Sequence, residues 1–208
     1  MIAKLVSSWL LVVAALGVAR PSLAQSDTKA AVAEGLYRQA RDLMLQGKYD
    51  AACPKFAESQ RLDPATGTLL NLAACHERQG KLASAWLEYS DAEVAARRDG
   101  RDDRVEFAHA RVAELEPQLS RLTVLLAPDA DQPGLELELD GAAIGREAVG
   151  LPTAVDPGKH SVRATAPGKK PWLGTVELGA EADQRSLTIP PLEDAEVEPA
   201  APVTPAAP

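Results

Sequence analysis

Gly47-Lys48-Tyr49-Asp50-Ala51-Ala52 recurs 33 residues later as Gly80-Lys81-Leu82-Ala83-Ser84-Ala85. The same offset relates Leu36 to Leu69, Ala40 to Ala73, Ala52 to Ala85, Phe56 to Tyr89 and Ser59 to Ala92. A period of this length marks one supersecondary unit, and each unit reads helix, Gly turn, helix. The units close on turn signals, Asp63-Pro64 in the first and Asp99-Gly100 in the second. The alanines let two helices approach closely, and Phe56 and Tyr89 fill the space between helices. Pro54 is tolerated only near a helix start, so Asp50 is the expected cap of its helix.

Repeat units cover one another, and two of them bury little on their own. A fifth helix over Asp102 to Leu119 is expected to supply the cover. Val105, Ala108, Val112, Leu115 and Leu119 fall on one stripe at spacings of three and four. Asp102 or Asp103 is expected to cap it, with Glu106 as the capping-box partner of Asp103. Through Gly47, Tyr49, Ala52, Phe56 and Pro64, about residues 33 to 98 resemble the tetratricopeptide repeat. The departures are Leu36 and Leu69 in place of the family's early Trp, Leu82 in place of the second unit's Tyr, and no Pro closing that unit.

Outward from the helices the pattern changes to period two. Leu135, Leu137 and Leu139 alternate with Glu136, Glu138 and Asp140, a strand with one buried face. Asp140-Gly141 is a hairpin-turn signal. Further strands are expected at Leu122 to Leu126, Thr153 to Val155, His160 to Ala166, Trp172 to Leu178 and Arg185 to Ile189. Short strands with frequent turns point to a small antiparallel β-sandwich. At Leu139-Asp140-Gly141, Leu151-Pro152, Asp156-Pro157-Gly158-Lys159-His160-Ser161-Val162 and Pro167-Gly168, about residues 121 to 180 resemble a PEGA domain. The literal Pro-Glu-Gly-Ala string is absent, and the alternative is a generic immunoglobulin-like domain. The resemblance implies a non-enzymatic module of surface and envelope proteins. Tetratricopeptide-like repeats followed by such a domain resemble a group of bacterial envelope proteins, some of which continue past a Pro-rich linker into a membrane helix. Here the sequence stops at Pro208, which leaves a soluble version and a truncated one both open.

The fold class expected is therefore α + β in two domains. Residues 1–24 read as a signal peptide, 25–120 as helical repeats with a capping helix, 121–190 as the β-sandwich, and 191–208 as a disordered Pro/Ala-rich acidic tail. In the leader, Lys4 supplies the positive charge and Leu5 to Ala19 the apolar stretch. Ser22-Leu23-Ala24 fits a cleavage site. The apolar stretch is too short for a membrane span. Cleavage after Ala24 removes Lys4 and Arg20, leaving 20 basic and 30 acidic side chains. The expected product is exported to the periplasm or the cell surface and does not span the membrane. In the tail, Glu193, Asp194, Glu196 and Glu198 have no basic neighbours in sequence and are expected to repel one another.

The 208 residues carry 30 acidic and 22 basic side chains, with three Trp, three Tyr and two Phe. A nucleic-acid binder needs a basic face and stacking rings, and this chain is poor in both. Cys53 and Cys75, the only thiols, fall on helices that neighbour one another in a repeat stack. They read as a disulfide or as two small buried thiols, and export favours the bond. Cys75-His76-Glu77 fails as a metal site, because consecutive helical side chains diverge. Asp129 to Asp140 only loosely mimics a calcium loop and reads better as a polar turn. His160 reads as a surface histidine at a strand start. No nucleophile motif, phosphate loop or acid-base pair stands out, so no cofactor, no metal and no enzymatic activity are expected.

The resemblance to tetratricopeptide arrays places the first helix of each unit on a concave face. It implies a groove of Tyr37, Arg41, Met44, Leu70, Asn71, Ala74, Glu77 and Arg78, where Arg41, Asn71 and Arg78 would hold a peptide carboxylate. The plain alternative is an ordinary solvated face. Trp86 reads as core. Trp172 reads as sandwich core or as an exposed contact for a polymer. The leading expectation is a protein-interaction scaffold of the cell envelope that binds another envelope protein or peptide segment. The alternative is a module that binds cell-wall glycan or a surface polymer through the β-sandwich. Oligomeric state is not readable from the sequence.

Overall fold

The computed structural model describes residues 22–195. The leader reading falls outside them except for its last three residues, and the tail reading falls outside them from residue 196 onward. The described chain is a helical region followed by a β region. Its helices are α1 (Ser22–Leu45), α2 (Tyr49–Leu62), α3 (Thr66–Arg78), α4 (Leu82–Arg98) and α5 (Asp102–Leu115).

The repeated Gly-Lys is a helix stop. Gly47 has φ +71°, and the Lys48 N–H reaches back to the Leu43 carbonyl at 2.9 Å. Gly80-Lys81 does the same onto His76 at 3.0 Å, and Gly100-Arg101 onto Ala96 at 2.9 Å. A left-handed glycine followed by this six-to-one bond satisfies carbonyls that would otherwise be orphaned at the helix end. The basic residue then opens the next helix. Lys48, Lys81 and Arg101 occupy the capping positions, and none makes a side-chain cap bond. This corrects two expectations. Asp50 lies inside α2, where it accepts from Gln79 Nε2 at 2.7 Å. Asp103 lies inside α5 and pairs with Arg101. The earlier start also carries Pro54 into the body of α2, where its ring nitrogen has no proton to donate to the preceding turn. At the other end, α5 stops at Leu115, and a 3₁₀ turn at Glu116–Gln118 follows with Pro117 inside it.

The 33-residue relation is a relation between core positions. Ala40, Ala52, Phe56 and Ser59 are buried in the first unit, as are Ala73, Ala85, Tyr89 and Ala92 in the second. Each helix packs on the next. One core gathers Ala40, Ala52, Cys53, Phe56, Leu72 and Cys75, and a second gathers Ala73, Ala85, Tyr89 and Leu115. Ala108, Leu115 and Leu119 of the fifth-helix stripe are buried, and Val105 and Val112 are half-buried.

The β region has β1 (Arg121–Leu126), β2 (Glu136–Leu139), β3 (Ala142–Ile144), β4 (Pro152–Ala154), β5 (Gly158–Thr165), β6 (Trp172–Leu178) and β7 (Gln184–Ile189). They form two sheets, in the orders β4-β1-β7 and β3-β2-β5-β6. Asp140 and Gly141 both have positive φ and turn β2 into β3, with Leu139 opposite Ala142. The sheets are not wholly antiparallel, because β7 lies parallel to β1 along its length. After β6 the chain crosses to the other sheet, and the Arg121 N–H bonds the Asp183 carbonyl at 2.8 Å, which starts the two strands side by side. Leu122, Val124 and Ile189 from one sheet share a core with Leu137, Val162, Ala164 and Leu178 from the other.

The reading of residues 191–208 as a disordered tail needs correcting at its start. Leu192 is 6% exposed and belongs to the sheet core. The Lys170 N–H donates to the Glu193 carbonyl at 2.8 Å, and the Ala195 N–H to the Gly168 carbonyl at 2.9 Å. Glu193 and Asp194 do have basic neighbours, Lys170 at 3.7 Å and Lys169 at 2.6 Å. Those lysines are far away in sequence and adjacent only in the fold.

Candidate functional site

Arg41 and Met44, one turn apart on α1, face Asn71 and Arg78 on α3. With Leu45 and Tyr49 they line an open cavity of about 370 Å³. The Gly47-Lys48 turn brings Tyr49, at the start of α2, to the rim. Among the described residues neither Arg41 nor Arg78 has a carboxylate partner, although the chain carries a net charge of −8. Arg41 lies over the ring of Tyr37, 6.0 Å from its centroid, a cation–π contact that leaves its N–H fork available. Asn71 is more constrained. Its Nδ2 donates to the Gly67 carbonyl at 2.7 Å and to the Tyr37 hydroxyl at 3.3 Å. What Asn71 offers a ligand is its Oδ1 acceptor, suited to an N–H and not to a carboxylate. The arginines are the anion donors of this cavity.

Leu70, Ala74 and Glu77, from the same expected groove, go elsewhere, and Tyr37 touches Arg41 and Asn71 without lining the cavity. Tyr37 packs edge-on against Phe56 at 5.7 Å between centroids and lines a separate cavity with Thr68 and Arg104. Leu70 and Ala74 pack on the second helical core. Glu77 accepts from the Tyr89 hydroxyl at 3.1 Å and pairs with Arg111 of α5. Burial, and then the charge and hydrogen bond of Glu77, push the Tyr89 phenol well above its ordinary pKa. Glu77 thus ties α3, α4 and α5 together and does not face the cavity with the free arginines. Helical spacing places residues on a face but not on one side or the other of a neighbouring helix, and Leu70, Ala74 and Glu77 lie on the side that α5 covers. Leu45 and Tyr49 were not among the expected groove residues, because attention to first helices passes over the turn that joins them to second helices.

Cys53 of α2 and Cys75 of α3 are bonded, with S–S 2.08 Å and Cα–Cα 5.6 Å. The bond lies in the core behind the cavity. Trp172 is half-buried against the sheet core. It lines a second cavity of about 370 Å³ with Lys170, Leu173, Pro190, Pro191 and Leu192. Neither metal reading finds support in the geometry. His76 Nδ1 meets Glu88 at 2.9 Å, Asp131 pairs with Arg146 and Asp140 with His160. Among the described residues no three His, Cys, Asp or Glu side chains gather as ligands. His160 is 9% exposed and not a surface residue. Among the described residues no helix is long and apolar enough to cross a membrane.

Compared with protein families and with curated proteins, the chain matches no family model and no curated protein.

Proposed function

We propose that the chain is an exported cell-envelope protein whose tetratricopeptide-like helical region is a protein-interaction scaffold. In this reading it docks a peptide segment bearing a carboxylate between α1 and α3, and a PEGA-like, immunoglobulin-like β region acts as spacer or second contact. One observation carries it. Two arginines without acidic partners among the described residues converge on one cavity in an acidic chain. Both side chains are exposed, and two guanidiniums on one cavity raise the positive potential there, which favours an anion. Arg41 and Arg78 would fork onto the carboxylate, Asn71 Oδ1 would take a peptide N–H, and Met44 and Leu45 would cover an apolar side chain.

The test is cross-linked affinity purification from envelope fractions with the wild-type chain and with R41E/R78E. A protein enriched by the wild type and lost with the variant supports the reading. Identical profiles overturn it.

A second reading rests on Trp172. A half-buried indole beside Leu173, which is exposed, and a Pro-lined cavity suits stacking on a sugar ring of a wall polymer. Retention of the chain on purified wall, lost in W172A, would favour it. No retention would remove it.

A further inference from the structure

The helical and β regions meet at a carboxylate. Asp156, just before β5, accepts the Ser84 backbone N–H at 3.0 Å and the Ser84 hydroxyl at 2.5 Å. Ser84 lies in the first turn of α4, and Lys81 provides that turn with no side-chain cap. Asp156 therefore does from the β region what a capping side chain does locally: it satisfies a free N–H and places negative charge at the helix start.

His160 holds Asp156 in place. Its Nε2 lies 2.7 Å from the Asp156 carbonyl oxygen, and its Nδ1 lies 2.6 Å from Asp140 Oδ2 in the β2–β3 turn. Both ring nitrogens face acceptors. A neutral imidazole has one N–H and serves one of them, whereas the imidazolium serves both. Asp140 is fixed independently, since the Ser161 N–H donates to its Oδ1 at 2.8 Å. These groups border a cavity of about 420 Å³, to which α4 contributes Ala83, Ser84, Trp86 and Leu87. The charged groups facing the ring there are Asp140 and Asp156, and α4 brings none.

We propose that His160 is a pH-operated latch between the helical and β regions. Charged, it donates to Asp140 and Asp156 together and holds the Asp156 carboxylate on the first turn of α4. Neutral, it keeps one of the two bonds, and the joint loosens. The electrostatics agree with the geometry. Burial opposes the charge, but the hydrogen bonds to Asp140 and Asp156 and the field of both outweigh it and raise the His160 pKa above the ordinary value. A raised folded-state pKa means that the latch is fully closed below the ordinary histidine value and is lost as pH rises through the folded one.

The test is nitrogen-15 NMR of the histidine rings in the full chain, with H76Q and H109Q assigning the other two. The His160 midpoint is expected above the unperturbed value of about 6.5, with protons on both ring nitrogens below it. Opening of the Ser84 amide, corrected for the intrinsic pH dependence of exchange, is expected to rise roughly tenfold through that midpoint. A midpoint at or below the ordinary value, or Ser84 opening unchanged across it, overturns the proposal. H160Q is expected to show the loosened joint at every pH, and if it does not fold, the wild-type titration decides alone.

Discussion

At position 174 a glycine lets the Trp172 indole lie across β6, since a Cβ there would come within 2.7 Å of indole Cζ2. Gly174→Ala should lift the ring, move tryptophan emission to the red and cost about 1–3 kcal/mol from overpacking. Fluorescence and thermal melting check both. Gly134 is constrained differently. Its φ is +73°, and a Cβ would meet Pro167 Cδ at 2.8 Å. Gly134→Ala combines backbone strain with a clash against a rigid ring and should cost about 2 kcal/mol, read as a lower denaturation midpoint. The first change reports on a side chain that can move, the second on one that cannot.

Among the elements, α2 and α3 depend most on a single bond. The disulfide between Cys53 and Cys75 has a sequence separation of 22, and closing a loop of that size stabilises by about 3 kcal/mol in the chain-entropy model. Reduction, or C53A/C75A, should lower helical stability by that order, followed by far-UV circular dichroism against denaturant. The fifth helix is held by different chemistry. Arg111 pairs with Glu77 and also lies 5.9 Å from the Tyr89 ring centroid, which joins three helices through one half-buried carboxylate. Glu77→Gln should cost about 1–2 kcal/mol and raise amide exchange in α5 before α1. A uniform rise along all five helices would argue against this placement of Glu77.

For the molecule as a whole, the relevant fact is that helical and β cores are separate and are bridged by Asp156 with Ser84, alongside the Ala182 N–H on the Gln118 carbonyl near the chain junction. Asp156→Asn keeps the shape but removes the charge at the α4 start. It should uncouple the regions, splitting one calorimetric transition into two. The pH dependence of stability follows from the same joint. Burial opposes the charge on Asp140, but its hydrogen bonds from His160 and Ser161 outweigh this and hold its pKa below the usual carboxylate range. That contribution is present above the unfolded value and lost as pH falls through the folded one. The His160 contribution is lost as pH rises through its raised value. The stability supplied by this joint should therefore plateau between the ordinary carboxylate and the ordinary histidine values, decline as pH falls from the first towards the folded Asp140 value and as it rises from the second towards the folded His160 value, and the alkaline decline should vanish in H160Q.

The order of helices, the Gly turns, the strand alternation and the Asp140-Gly141 hairpin were all legible in the sequence, because each depends on residues within one or two turns of each other. The three-residue β3 escaped because Ala142–Ile144 is too short to show a period. The caps differ from the expected ones, Lys48 standing two residues before Asp50 and Arg101 one or two before Asp102 or Asp103, since Lys48 and Arg101 leave the earlier stop in the same six-to-one bond that opens the next helix. Arg41, Met44, Asn71 and Arg78 could be placed on common helix faces from spacing. That Glu77 turns instead to Tyr89 and Arg111, that Lys169 and Lys170 meet Asp194 and Glu193, and that β7 runs beside β1 depended on partners 12 or more residues away. The sequence by itself determined the local chemistry: a 33-residue helical repeat, a Gly-rich β segment and two cysteines. Only the tertiary structure decided which charges stayed unpaired and that His160 faces two acceptors. Those properties arise where segments distant in the chain converge, and periodicity along the chain carries no information about them.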